Sequence, residues 1–232
     1  QSKTSQLSGS RILITAGPTR EPIDPVRFMS NYSSGKMGYA IAMAAKAKGA
    51  SVELISGPVM LNPITDIRTT YVETSSEMYE AVKEKVSDFD IFISTAAIAD
   101  YKPANYSDIK YKKNKNNITI EFTRGIDILE TISKKYKNLF TVGFAAETNS
   151  LKENAQQKLA KKNLDIIVGN IANHELKLGF ESDYNEVTIL SNTTSKKISY
   201  DKKSNIANKI LDFIAIEYSN KLQLVKSNAK KS

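Results

Sequence analysis

Short apolar runs alternate with helix-forming runs along this chain, and this alternation limits the possible folds more than any other feature. R-I-L-I-T at 11–15 predicts a strand that runs into a glycine. The Ala-rich run at 35–48 predicts a helix, with Ser33 or Ser34 as its N-cap, and S-V-E-L-I-S at 51–56 predicts a second strand. These residues therefore predict a β-α-β unit.

The same alternation continues towards the C-terminus. Further strands are expected at 90–95, 139–144 and 165–169, a closing hairpin around Asn192, and helices at 76–86, 150–162 and 204–218. This pattern predicts an α/β fold with a Rossmann-like, mostly parallel sheet and helices on both faces.

Length and composition exclude several classes of protein. The 232 residues suit one domain over 11–220, between a linker remnant at 1–10 and a basic flexible tail at 221–232. The absence of cysteine and the single His174 exclude disulfides, thiol catalysis and a His-rich metal site. No run reaches the roughly 20 apolar residues of a membrane span, so a cytoplasmic protein is expected. The net charge of +8 indicates an anionic partner: nucleic acid, a membrane surface or a polyphosphate.

Three loops follow predicted strands: A-G-P-T-R at 16–20, A-A-I-A-D at 96–100 and F-A-A-E-T at 144–148. Ligands of open α/β sheets bind outside the carboxyl ends of the strands. The small side chains would let a base or sugar approach the backbone, although ordinary tight packing explains them equally well. The G-x-G-x-x-G fingerprint is absent after the first strand, which disfavours a standard dehydrogenase.

The stretch N-Y-S-S-G-K-M-G at 31–38 matches a phosphate-binding loop only in part. Gly35 and Lys36 fit G-x-x-x-x-G-K-[ST], but Ser30 replaces the first glycine and Met37 replaces the metal-binding hydroxyl. A standard Walker loop is therefore not expected here.

Lysines are grouped in two segments that each follow a strand-end loop. Alternating residues over 109–122 predict a β-hairpin flap with Lys110 and Lys112 on one face, and a solvated loop is the alternative. Lys158 and Lys162 are four residues apart on a predicted helix and share a face. Lysines on two separate elements fit a triphosphate better than a nucleic-acid backbone.

Several motifs in order identify a family resemblance. They are T-A-G-P-T-R-E-P-I-D-P-V-R, S-N-Y-S-S-G-K-M-G, A-A-I-A-D-Y, K-Y-K-K and V-G-F-A-A-E-T. Over about 11–218 the chain resembles the bacterial phosphopantothenate-cysteine ligases, also called phosphopantothenoylcysteine synthetases. These ligases usually form the C-terminal half of a bifunctional coenzyme A biosynthesis protein. The preceding half is a decarboxylase, and FMN is expected only in that N-terminal domain.

The resemblance implies a homodimeric ligase that uses CTP and Mg²⁺, without nucleic-acid or membrane partners. The carboxylate of 4'-phosphopantothenate would attack the α-phosphate of CTP, giving an acyl-cytidylate and pyrophosphate. The amine of L-cysteine would then displace CMP. Both steps depend on electrostatic stabilisation of developing charge.

The resemblance also assigns roles to individual residues. It implies that Lys110 neutralises charge at the reacting phosphate and that Asn31 holds the acyl-cytidylate for attack by cysteine. Asn31, Arg27 and Ala97 would contact the phosphopantothenoyl arm. The positions implied to bind CTP, besides Lys110, are Ser94, Thr95, Ala96, Asp100, Ile126, Asp127, Ile128, Leu129, Phe144, Lys158 and Lys162. Ile126 departs from the family, which commonly has proline there, and the Mg²⁺ ligands are not identified.

Two other classes of function agree with parts of the sequence. A basic Rossmann-like module could bind RNA or anionic membranes without catalysis, and it would show strongly salt-dependent binding without turnover. An NAD(P)-dependent oxidoreductase is the second alternative, and the missing glycine fingerprint disfavours it.

Overall fold

The computed structural model describes residues 7–112, 117–147, 151–171 and 182–229. The strands of these ranges are β1 (Arg11–Ala16), β2 (Arg20–Pro22), β3 (Phe28–Ser30), β4 (Ser51–Ser56), β5 (Arg68–Tyr71), β6 (Ile91–Ser94), β7 (Tyr101–Pro103), β8 (Phe122–Arg124), β9 (Phe140–Glu147), β10 (Ile166–Ile171), β11 (Tyr184–Ser191) and β12 (Ser195–Lys202). The α-helices are α1 (Lys36–Ala47), α2 (Ser75–Lys85), α3 (Ile128–Lys135), α4 (Leu151–Lys161) and α5 (Lys203–Ala229).

One eight-stranded sheet forms the centre of the domain, in the order β12-β11-β10-β9-β6-β1-β4-β5. In this sheet order, the six strands β10, β9, β6, β1, β4 and β5 are parallel to one another. Strand β11 pairs antiparallel with both β10 and β12. The predicted Rossmann-like, mostly parallel sheet is therefore confirmed. The chain passes from β1 to β4 and β5 on one side and then to β6, β9 and β10 on the other. The switch in strand order consequently lies between β1 and β6.

Both faces of the sheet are buried, as the apolar strands require. Ile12 and Ile14 of β1 lie in one core cluster, which also contains residues of α1 and α5. Leu13 points to the opposite face and lies in a second cluster with residues of α2, α3 and α4. Successive side chains of a strand point to opposite faces, so one apolar strand contributes to both clusters.

The N-terminus of α1 differs from the prediction. The N-cap is Gly35, whose φ of 76° lies in the left-handed region, and no side chain caps the helix. The expected caps Ser33 and Ser34 were therefore wrong. The hydroxyl of Ser33 instead accepts a hydrogen bond from the Gly35 N–H at 3.3 Å. Glycine enters the left-handed region without the steric cost that a Cβ would bring.

The flap segment also differs in its strands. The antiparallel pair is β7 with β8, so the hairpin arms are 101–103 and 122–124. Residues 109–112 are not in a strand, and the period-two argument that placed Lys110 and Lys112 on one face does not hold. Both side chains are exposed. The remaining flap lysines, Lys113 and Lys115, lie outside the described residues.

Both ends of the domain contain structure that the sequence did not indicate. Leu7 is fully buried, so the fold begins before the expected boundary at residue 11. Helix α5 continues to Ala229, and residues 221–229 are helical where a flexible tail was expected. Strand β5 and helix α3 were not predicted from the sequence.

His174, the single histidine of the chain, lies outside the described residues.

Candidate functional site

The loops after β1 and β6 remain joined beyond the ends of the strands. The N–H of Thr95 donates to the Thr15 carbonyl at 3.2 Å, and the N–H of Ala97 donates to the Gly17 carbonyl at 2.9 Å. The Thr19 N–H donates a hydrogen bond of 3.2 Å to the Ala97 carbonyl. These bonds join the two loops into one surface at the switch point, where open α/β sheets bind ligands. We call this surface, formed by residues 15–19 and 95–97, the floor of the site.

The first turn of α1 packs directly on this floor. A Cβ on Gly38 would overlap both Thr95 Oγ1 and Ala16 Cβ, so only glycine permits this approach. Gly35 is similarly enclosed, because a Cβ there would lie 2.6 Å from Val59 Cγ1. The close approach brings the backbone amides of the helix N-terminus to the end of the sheet, where they favour an anion.

A cavity of about 140 Å³ lies between this helix end and the strand ends. Its walls include the α1 N-terminus and three of the predicted CTP-binding positions, namely Thr95, Ala96 and Phe144. Ala97, predicted to contact the phosphopantothenoyl arm, also lines it. Pockets for drug-sized ligands measure roughly 300–1,000 Å³, so this cavity would enclose part of a nucleotide or its partner.

Asn31 lies at the edge of the same floor. Its Nδ2 donates a hydrogen bond of 2.9 Å to the Ala97 carbonyl, across 66 positions of sequence. The side chain is exposed, so a ligand can reach the amide. Two of the three residues that the resemblance placed near the phosphopantothenoyl arm, Asn31 and Ala97, are thus in contact.

Lys203 is a site residue that the sequence reasoning missed. It is only 4% exposed at the start of α5, and it lines the cavity together with Lys36. Burial lowers the pKa of Lys203 to about 8; the charge of Lys36 adds to this shift and Asp183 opposes it. Lys36 Nζ lies 2.7 Å from Asp183 Oδ1. Lys203 lies on the apolar stripe of α5, three residues before Ile206 and seven before Ile210. This helical spacing is the sequence signal that could have predicted its burial.

A second group of predicted residues meets where α3 begins and α4 ends. Asp127 is the N-cap of α3, accepting the Glu130 N–H at 3.0 Å. Its Oδ2 also lies 2.7 Å from Lys162 Nζ. Ile128 and Leu129 are 1% and 8% exposed, so only their backbone can reach a ligand. Ile126, at 48% exposure, lies on the surface.

The remaining predicted residues occupy different environments. Ser94 is buried at the end of β6, and Lys158 is half-buried on α4. Asp100 is exposed, and its backbone carbonyl accepts the Gly125 N–H at 2.8 Å. Lys110 is exposed and is not among the described residues that line the cavity.

Arg27 contacts the protein's own backbone. Its Nη2 donates to the Tyr111 carbonyl at 2.8 Å, and its Nε lies 3.7 Å from Asp24 Oδ2. The guanidinium therefore contacts the residue that follows Lys110.

Within the described ranges, no group of three or more His, Cys, Asp or Glu side chains is arranged to hold a metal ion. No helix within those ranges is both long enough and apolar enough to cross a bilayer.

The chain is thus an α/β domain with a switch-point cavity bounded by a helix N-terminus and lysines, the arrangement with which such domains commonly bind nucleotides or other phosphates. The family model of the DNA/pantothenate metabolism flavoprotein C-terminal domain matches residues 7–217, and the chain belongs to this family.

Individual relatives agree with this assignment. The coenzyme A biosynthesis bifunctional protein CoaBC of Vibrio vulnificus (strain CMCP6) is 45% identical over 208 residues, covering 88% of this chain and 52% of the relative. The Escherichia coli (strain K12) protein of the same name is 41% identical over 224 residues, covering 95% and 55%. The chain thus spans about half the length of these curated relatives.

A solved structure gives the same result for the fold. The crystal structure of the C-terminal domain of a CoaBC protein superposes with a TM-score of 0.80 at 40% identity. The match covers 93% of this chain and 99% of that one.

Proposed function

We propose that this chain is a cytoplasmic, CTP-dependent phosphopantothenate-cysteine ligase of coenzyme A biosynthesis. The observation that carries the proposal is the meeting of separate segments at one cavity. Thr95, Ala96, Ala97 and Phe144 line it, and Asn31 is bonded to Ala97. The relatives' name, coenzyme A biosynthesis bifunctional protein, supports the same pathway.

In the first step, the carboxylate of 4'-phosphopantothenate attacks the α-phosphate of CTP and pyrophosphate leaves. Two anions must approach each other, so cations are needed to screen them. Lys110, Lys158 and Lys162 are the lysines that we assign to this role. Lys110 is exposed on a surface segment, as a residue that meets an incoming nucleotide requires.

In the second step, the amine of cysteine attacks the acyl carbonyl and CMP leaves. The carbonyl oxygen gains negative charge in the transition state, and a fixed N–H donor lowers the barrier. We assign this donor to the amide of Asn31. Its bond to Ala97 fixes which end of the amide carries the N–H groups, and so orients a donor at the floor of the site.

Mg²⁺ is proposed to arrive with CTP, held mainly by phosphate oxygens and water. When bound, it supplies positive charge to the triphosphate. Asp100 and Asp127 are the acidic residues among the proposed CTP-binding positions.

We also propose a homodimer. Val26, Phe28 and Tyr32 are 59%, 48% and 71% exposed on the segment that carries Arg27 and Asn31. Large apolar side chains grouped on a surface favour association, and a second copy would cover them. Light scattering on the purified chain would measure the mass. A monomer at micromolar concentration would contradict this part of the proposal.

The activity is tested by supplying CTP and phosphopantothenate with and without cysteine. We expect pyrophosphate release without cysteine, and CMP and amide formation only when cysteine is added. Parallel reactions with ATP measure nucleotide choice. No product with either nucleotide would overturn the proposal, and salt-sensitive binding to RNA or anionic vesicles without turnover would favour the binding-module alternative.

A further inference from the structure

The segment that carries Lys110 is fixed at both ends to the turn between β2 and β3. The Ser107 N–H donates to the Ile23 carbonyl at 3.1 Å. The Tyr111 N–H donates to Asp24 Oδ2 at 3.2 Å, and Arg27 Nη2 donates to the Tyr111 carbonyl at 2.8 Å. Lys110 thus directly precedes a residue whose N–H and carbonyl are both bound by side chains of the turn.

The two carboxylate oxygens of Asp24 accept hydrogen bonds from different parts of the chain. Oδ1 accepts the N–H groups of Val26 and Arg27, both at 2.8 Å, and this holds the turn itself. Oδ2 accepts the N–H of Tyr111, which is 87 positions away in the sequence. One oxygen therefore stabilises the turn and the other attaches the Lys110 segment.

The Asp24 side chain is completely buried. Burial raises the pKa of this carboxyl, but the three backbone donors and the charge of Arg27 outweigh it, so the pKa lies below its ordinary value. A buried carboxylate is stable only when it is paired or hydrogen-bonded. Asp24 is accordingly ionised at neutral pH and remains a strong acceptor for Tyr111.

We propose that Asp24 is a positioning residue that, together with Arg27, holds the 107–111 segment so that Lys110 faces the reacting phosphate. We call the side chains of Asp24 and Arg27 with the backbone of Tyr111 the turn clasp. The role of Lys110 rests on the proposed ligase activity, whereas the holding of the segment does not. The clasp also gives Arg27 a function without direct contact with substrate.

The substitution Asp24→Asn separates the two tasks of the carboxylate. The amide oxygen can still accept the two N–H groups of the turn, but the NH₂ group then faces the Tyr111 N–H as a second donor. Asp88→Asn is the matched control, because it removes the same charge from an exposed residue just before β6, at the amino end of that strand and so opposite the strand ends that form the candidate site. Thermal unfolding of both variants checks that the domain is folded.

Hydrogen exchange followed by mass spectrometry tests the clasp directly in the full chain. A hydrogen bond to a charged group contributes enough that its loss should speed exchange of peptides over 107–112 by roughly tenfold or more. Exchange of the β1 and β6 peptides should match that of the control. Unchanged exchange over 107–112 in Asp24→Asn would overturn the proposal, whatever the activity.

Single-turnover release of pyrophosphate tests the consequence for Lys110. We expect Asp24→Asn to lower the rate roughly tenfold, with a much smaller change in the KM for phosphopantothenate. If Asp24 acts through Lys110, then Asp24→Asn combined with Lys110→Gln is no slower than Lys110→Gln alone. If the rate losses of the two single substitutions instead multiply in the double variant, Asp24 does not act through Lys110 and the positioning role is overturned. If the wild type releases no pyrophosphate, the ligase assignment fails, and hydrogen exchange still decides whether the clasp holds the segment.

Discussion

The ammonium group of Lys162 lies 2.7 Å from Oδ2 of Asp127, which joins the residue after α4 to the N-cap of α3. Both side chains are partly buried, with exposed fractions of 24% and 30%. The pair holds a lysine beside the start of a helix, where the backbone amides also favour an anion. The ion pair therefore fixes the position of the Lys162 charge, which we propose binds the triphosphate of CTP.

We expect Lys162→Gln to raise the KM for CTP by roughly tenfold to a hundredfold, since a charged hydrogen bond is lost. Asp127 would also be left without its cation and would repel the phosphates. Steady-state pyrophosphate release measures the change. Lys137→Gln is the control, because Lys137 is exposed just before the amino end of β9, opposite the strand ends that form the candidate site. Equal KM values for both variants would remove Lys162 from the CTP site.

Asn31→Asp should separate the two half-reactions. A carboxylate cannot donate to the Ala97 carbonyl or to the acyl carbonyl, and it repels the developing oxyanion. We expect pyrophosphate release to continue for one turnover while amide formation slows by roughly a hundredfold or more, as when one oxyanion donor is lost. Quenched-flow analysis of the bound acyl-cytidylate measures this. Asn192→Asp, in the exposed turn after β11, is the matched control; amide formation at the control rate would refute the role.

Lys110→Gln should slow the overall reaction by roughly a hundredfold or more and leave a measurable residual rate, because it removes the cation assigned to the reacting phosphate. Pyrophosphate and CMP release are the readouts. The same change at Lys196, an exposed residue of β12, should leave both rates unaltered. Wild-type turnover by Lys110→Gln would mean that this lysine is simply solvated.

Gly38→Ala should destabilise the domain, although the same change in an ordinary helix interior is stabilising by roughly 0.5–1 kcal/mol. The new Cβ would overlap Thr95 and Ala16, and such overpacking typically costs about 1–3 kcal/mol. Urea unfolding gives the free energy of unfolding. A more stable Gly38→Ala variant would show that α1 does not approach the strand ends this closely.

The buried Lys203 should make stability depend on pH in the alkaline range. Its pKa is about 8 in the fold and returns to its ordinary value of 10.5 on unfolding. Between these values the unfolded chain binds more protons, so the free energy of unfolding rises with pH. Lys203→Met should remove this part of the pH dependence and stabilise the domain most below pH 8. Parallel curves for the variant and the wild type between pH 7 and 10.5 would contradict this prediction.

Local patterns were sufficient to locate most elements of the sheet. The strand at 51–56 matches β4 at both ends, and the apolar runs at 90–95 and 165–169 coincide with β6 and β10 to within two residues. Each run was detectable because burial on both faces requires continuous apolar side chains. Strand β5, R-T-T-Y, escaped prediction because it lies at the sheet edge, and two of its four residues are exposed.

The lysine flap shows where a local pattern is insufficient. Alternation over 109–112 indicated a strand, but the backbone of Tyr111 is instead bound by Asp24 and Arg27 of the β2–β3 turn. Those partners are more than eighty positions away. Tertiary contact overrode the β pattern because it satisfies the same backbone groups.

The sequence by itself determined the α/β class, most of the succession of core strands and helices along the chain, and the motifs that the family shares. These depend on periodicity and on short-range chemistry, which adjacent residues encode. Only the tertiary structure decided that Asn31 bonds Ala97, that Lys162 faces Asp127, and that Lys203 is buried beside the α1 N-terminus. Such contacts depend on which strands become neighbours and how closely the helices pack on them, and no local stretch of sequence encodes those distances.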